Sequence, residues 1–337
     1  MSLTSHLQRA SSPVRQFFDD CIDDQVARAL VRRANDQAAL EAWTRGGVVV
    51  VAGTAPMLAG TAYDFGFRDW LQPFRVVEPP RMALHGAQHA RAVGWPKATR
   101  QLAAILRTLP DTDALGKARR YVALAVFERF ARALGAILAQ RGNAGDDLPG
   151  QMLSDPPATL ADLLDRMPEA TVRDVAAVLD ATQHRWPRLR DLPFVANPIF
   201  PLSAQIGGAD ADWISGGMLY ECKLSYVARP VAGKHLRQLL GYLLLDHEDA
   251  LAITAVALFL PRQGACLAWD TAAFLRGLGI RGELPALRAR FAIVVAALPQ
   301  PEPTVERLTI TDPANGQERR VLRTRVRRTP PTDPTPS

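Results

Sequence analysis

The stretch 207–242, GGADADWISGGMLYECKLSYVARPVAGKHLRQLLGY, constrains the fold more than any other part of the chain. Gly216-Gly217 separates two short strand-like runs, which is the composition of a tight hairpin turn. Residues 209–215 predict one strand and 218–223 its partner. On the second, Met218, Tyr220 and Cys222 alternate with Leu219, Glu221 and Lys223. Glu221 and Lys223 therefore project from one face, with Cα atoms roughly 7 Å apart. A hairpin closed at the glycines brings Asp212 toward the same face. Residues 235–246 then read as a mostly apolar helix on which Gln238 and Tyr242 share a side at i and i+4.

Two carboxylates and an ammonium converging in a cleft are costly unless something compensates them. A hard divalent cation does so. Magnesium takes octahedral oxygen coordination, usually one or two carboxylates completed by water and phosphate oxygens. Asp212 and Glu221 would supply the carboxylates, and the backbone carbonyl of Cys222 a further oxygen. Such an ion polarises a phosphoryl oxygen and lowers the pKa of water; two ions would flank the attacking and leaving oxygens. Lys223 would orient the water or stabilise charge on the phosphorane. The competing reading is a surface hairpin whose acids and bases pair across strands and contribute little. For the helix, the competing reading is Tyr242 as an amphipathic core residue capped by Gln238.

Together, Asp212-x8-Glu221-x-Lys223 and Gln238-x3-Tyr242 resemble the PD-(D/E)XK nuclease superfamily, most of all its RecB-like exonuclease branch. The resemblance covers residues 195–270. It implies an α/β, restriction-endonuclease-like core of a helix, three strands, a helix and a further strand, with a mixed sheet flanked by helices. The first acid would sit on the second strand, Glu-x-Lys on the third, and Gln-x-x-x-Tyr on the next helix. Asp210 is the alternative to Asp212. The implied activity is hydrolysis of DNA phosphodiester bonds with Mg²⁺ or Mn²⁺, with Gln238 and Tyr242 contacting substrate or shaping the cleft.

The same branch has an early helix with Gly-x-x-x-His. Here Gly60-Thr61-Ala62-Tyr63-Asp64 puts an acid, Asp64, at the histidine position, where it is a candidate cation ligand. Glu128, in an apolar helix at 121–134, is the other candidate for the first-helix acid; a solvated charge on an amphipathic face would look the same. Restriction, phage defence and DNA repair are the processes implied by family association. The alternative is a catalytically inactive nuclease-fold module that binds nucleic acid or a partner protein.

The rest of the chain divides by pattern. Residues 1–190 are mainly helical, contain the first core helix at 60–71 or 117–140, and offer a surface for a protein partner. The core spans 191–300, a basic β-hairpin 301–328 and a disordered tail 329–337. Residues 1–15 read as a flexible or loosely docked lead-in, 46–51 as a buried strand or turn-strand, and 291–298 as an apolar strand. The last hairpin turns at Asn315-Gly316, and its second strand alternates Arg323, Arg325 and Arg327 onto one face. That is a phosphate-binding stripe or a charge-protected edge. Lys234 and Arg237 flank the Gln238 helix within reach of phosphates. His85 and His89, at i and i+4, have metal-ligand spacing but no obvious third ligand, and an exposed helix face accounts for them.

The net charge of +6 and a pI of about 9.6 suit a polyanionic partner such as DNA. Three scattered cysteines and no CxxC argue against a disulfide framework, a zinc site or the iron–sulfur cluster of some RecB-like nucleases. They fit a reducing, cytoplasmic location. No apolar signal segment opens the chain and no apolar run is long enough to span a membrane. Gly-rich phosphate loops, GxSxG and HExxH are absent from the sequence.

Overall fold

The computed structural model describes residues 2–73, 80–139, 148–209, 211–299, 303–311 and 318–326. Among them the helices come first: α1 (Leu3–Gln8), α2 (Pro13–Cys21), α3 (Asp24–Arg45), α4 (Pro56–Leu71) and α5 (Arg81–Ala92). They continue with α6 (Ala98–Thr108), α7 (Ala114–Ala139), α8 (Leu148–Ser154), α9 (Leu160–Asp165) and α10 (Glu169–Arg185). The boundaries follow local chemistry. Asp23 caps α3 by accepting from the backbone N–H groups of Gln25 and Val26, and Gly46, at φ 72°, ends it. Proline opens α2 and α4, where its missing N–H costs nothing.

The strands follow: β1 (Phe194–Ala196), β2 (Trp213–Ser215) and β3 (Met218–Cys222). Next are α11 (Gly233–Leu245), β4 (Ala255–Leu260), β5 (Ala265–Asp270), α12 (Thr271–Gly277) and α13 (Leu284–Ala296). They make a five-stranded mixed sheet in the order β1-β2-β3-β4-β5. All neighbours are antiparallel except β3 and β4, which run parallel because α11 carries the chain across. Ser215 pairs with Met218, leaving Gly216-Gly217 as a two-residue loop. Both glycines have positive φ, 56° and 75°. A type I′ hairpin turn requires that, and other residues adopt it only with strain.

Helices cover both faces of the sheet. Ile214, Leu219, Val256 and Leu258 pack against α1, α2, α11 and α13. Trp213, Tyr220, Ala257 and Phe259 pack against α4, α7 and α10. The Phe67 ring on α4 lies 4.9 Å from Trp213 and 5.5 Å from Phe259. Residues 1–190 thus do not form a separate body from 191–300, because each core cluster draws on both. Of the two expected helices at 60–71 or 117–140, α4 touches the sheet through Phe67, and α7 packs in the same apolar cluster.

Three expectations are corrected. Residues 1–15 are not a loose lead-in: α1 buries Leu3 and Leu7, and Leu3 seats against Gly241, where an added Cβ would come within 2.7 Å of the leucine. Residues 291–298 are not a strand but the end of α13 and the turn after it, with Phe291 and Val295 buried four residues apart. Residues 46–51 are not a buried strand. Val49 is 85% exposed, and Val48 and Val51 donate to the carbonyl of Arg262 and the carboxylate of Asp174.

The expected C-terminal hairpin is present as β6 (Pro303–Thr311) paired with β7 (Glu318–Val326) in a two-stranded sheet of its own. Arg323 and Arg325 lie on β7, opposite Glu306 and Thr304. Arg327, the Asn315-Gly316 turn and the tail at 329–337 lie outside the described residues. No helix among the described residues is long and apolar enough to cross a membrane.

Candidate functional site

Glu221 sits on β3 with Leu219, on the face covered by α11. Lys223 follows just past the strand end, where its N–H donates to the Phe259 carbonyl. That bond turns the N–H and C=O of Cys222 the other way, toward the β2 side of β3. The Cys222 N–H donates to Asp212 Oδ2 at 2.5 Å, one residue before β2. The hairpin register thus brings Asp212 to the end of β3, and the Cys222 carbonyl faces the same side. Lys223 Nζ is ion-paired with Glu221 Oε1. Asp210, the alternative first acid, lies outside the described residues.

The electrostatics mark these groups as a coupled set. Glu221 is 2% exposed. Burial, and next the Asp212 charge, push its carboxyl up to about 8 despite the opposing Lys223 ammonium. Asp212 is also raised by burial, against the pull of Lys223, the Cys222 N–H and Arg68. Burial disfavours the Lys223 ammonium, but the two carboxylates outweigh it and raise its pKa. Glu221 Oε2 is buried and makes no hydrogen bond of good geometry, although the Tyr242 hydroxyl is close enough to the Glu221 carboxyl to act on it. A buried carboxylate oxygen without a well-formed hydrogen bond costs free energy in isolation.

Helix α11 supplies the wall. Gln238 Nε2 donates to the Tyr242 hydroxyl at 2.6 Å. Burial raises the Tyr242 phenol, and the Glu221 and Asp212 charges raise it further. His235, one turn before, is lowered to about 4 by burial and then by Lys223 and Lys234. Lys234 is exposed on the first turn of α11. Arg237 is not free to meet phosphates as expected: Asp19 holds it at 2.5 Å and Asp24 at 3.3 Å.

The two first-helix candidates are both held by arginines. Asp64 pairs with Arg68 on α4, and Glu128 with Arg132 at 2.6 Å on α7. Glu128 is 6% exposed, so it is not the solvated charge that its amphipathic helix suggested. Arg68 feels the charges of Asp212 and Glu128, which puts this second layer of ionic groups beside Asp212. His85 and His89 are exposed, in keeping with a plain helix face.

A buried clamp supports the site and was not legible beforehand. Arg262 Nη2 pairs with Asp174 Oδ2 at 2.5 Å, with both side chains under 5% exposed. Tyr226, just after Lys223, donates to the same carboxylate at 3.0 Å, and Arg262 stacks over its ring at 4.4 Å. Three distant segments meet there, so no spacing in the sequence announces it.

The donors fit a hard cation in part. No group of three or more His, Cys, Asp or Glu side chains suited to a metal occurs among the described residues. The chain itself offers two carboxylates and the Cys222 carbonyl, all oxygen, with Glu221 Oε2 short of a well-formed hydrogen bond. Magnesium sites typically have that protein share, the remaining positions going to water and phosphate. No family model, curated protein or solved structure matches this chain.

Proposed function

We propose that the chain is a metal-dependent nuclease that hydrolyses DNA phosphodiester bonds. The observation that carries this reading is the convergence of Asp212, Lys223 and the buried Glu221 carboxyl at one end of the sheet, with Glu221 Oε2 short of a well-formed hydrogen bond. The order of elements supports it: a helix on the sheet, three antiparallel strands, a crossover helix and a parallel fourth strand. That is the order the PD-(D/E)XK resemblance implies.

Mg²⁺ or Mn²⁺, held by Asp212, Glu221 and the Cys222 carbonyl, would supply Lewis-acid polarisation of the scissile phosphate. The chain's own groups do the rest. The Cys222 N–H fixes the rotamer of Asp212. Lys223, kept protonated by the two carboxylates, positions water and stabilises developing negative charge. Gln238 donates to the Tyr242 hydroxyl and so orients it beside Glu221. The Arg68 charge offsets part of that of Asp212.

Purified protein with Mn²⁺ should degrade linear, nicked or single-stranded DNA. Lys223→Ala should abolish this while the thermal transition stays within a few degrees. A clean preparation inert on all of these substrates counts against the reading. The enclosure of Glu221, with Oε1 taken by Lys223, favours the second reading of an inactive nuclease-fold module. Manganese binding that depends on Asp212 and Glu221 separates the two.

A further inference from the structure

On the far side of α11 from Tyr242 lies a cavity of about 340 Å³, within the range of small-ligand sites. Its floor is apolar: Ile22, Ala27, Val31, Leu236 and Leu278. Its rim carries Arg28 and Arg32, one turn apart on α3. Both are exposed and neither forms an ion pair with a described residue. The one acid in the lining, Asp24, is taken up by Arg237. The lining therefore combines a dry seat with uncompensated positive charge.

The orientation of α11 links this cavity to the candidate site. At about 100° per residue, Gly233, Leu236 and Arg237 fall on one side of the helix. His235, Gln238 and Tyr242 fall on the opposite side. Only the first turn of α11 separates the two, with Lys234 exposed on it and the His235 Nδ1 accepting from the Ala232 N–H at 3.2 Å. A helix is about 10–12 Å across, a distance that a few nucleotides of single strand can span.

We propose that this cavity seats an unpaired base of a nucleic-acid strand, with the adjoining phosphates on Arg28 and Arg32. The inference rests on the nuclease reading for its substrate class and narrows that class to single strands or frayed ends. The backbone of the strand crosses the first turn of α11 past Lys234. The aliphatic floor takes any base by its apolar face, so the seat carries no sequence code.

The test is fluorescence anisotropy of a labelled oligothymidylate on the full-length protein in chelator, where binding is read without cleavage. Arg28→Glu with Arg32→Glu should weaken binding at least tenfold and flatten the salt dependence by about 1.4 in log–log slope. Ala27→Phe, which fills the seat, should weaken binding of the normal strand several-fold and leave an abasic strand of equal length unaffected. Unchanged affinity in both variants overturns the assignment. So does an Ala27→Phe loss that is equal for the abasic strand. A protein that binds through this cavity but never cleaves DNA sinks the nuclease reading and leaves the cavity standing. One that cleaves while both variants bind normally sinks the cavity alone.

Discussion

Replacing Glu221 with glutamine should stabilise the metal-free protein at alkaline pH. Glutamine keeps the size of the side chain and removes its charge. The carboxyl rises from 4.5 to about 8 on folding, chiefly through burial, and that rise corresponds to a penalty of about 5 kcal/mol once the group is ionised. The sign follows from the direction of the shift. A raised folded pKa leaves stability intact below pH 4.5 and removes it as pH climbs through 8. The attraction of Lys223 is already contained in that net rise, so its loss is not a separate cost. The net gain at pH 8.5 is about 4–5 kcal/mol, or a rise of about 6 °C in Tm for a chain of this size. At pH 5 the gain should shrink to about 1 kcal/mol or less. Thermal unfolding in chelator, read by circular dichroism at both pH values, measures it. A Glu221→Gln protein less stable than the parent at pH 8.5 would refute the reasoning. Glu221 would then be one half of a structural ion pair rather than a carboxylate held ready for a cation.

Other consequences follow from the same structure. Asp174→Ala should cost about 3–5 kcal/mol in urea unfolding by leaving Arg262 buried and unpaired, and joint replacement by Asp174→Leu and Arg262→Met should recover most of it. Gly86→Ala should destabilise by about 1–3 kcal/mol or more, because its Cβ would meet the Phe127 carbonyl at 1.6 Å and force α5 from α7. His235, lowered to about 4 mainly by burial, should make stability fall by roughly 2 kcal/mol between pH 6.5 and 4, because there the unfolded chain binds more protons. His235→Gln should flatten that slope.

The site was legible in the sequence where local rules act alone. Two adjacent glycines between strand-like runs mark a two-residue hairpin loop, and that set which side chains share a face with Glu221. The apolar run from Leu236 to Leu245 identified the crossover helix. Illegible parts depended on distant partners. Four consecutive valines at 48–51 have strand propensity, but α3 packs against β5 and the valines found no strand to pair with. Residues 291–298 are apolar throughout, and a short apolar run does not separate a strand from a buried helix turn. The short helix α1 exists because Leu3 has Gly241 to pack on, more than 200 residues away. Glu128 looked like any charge on an amphipathic helix until Arg68 and Arg132 closed around it.

Isothermal titration of the purified protein with Mn²⁺ at pH 7.5 tests the central claim most directly. The account predicts saturable binding with proton release, lost in Asp212→Asn and in Glu221→Gln, while both variants remain folded. Binding that survives both substitutions, or no binding in the parent protein with DNA present, would contradict it.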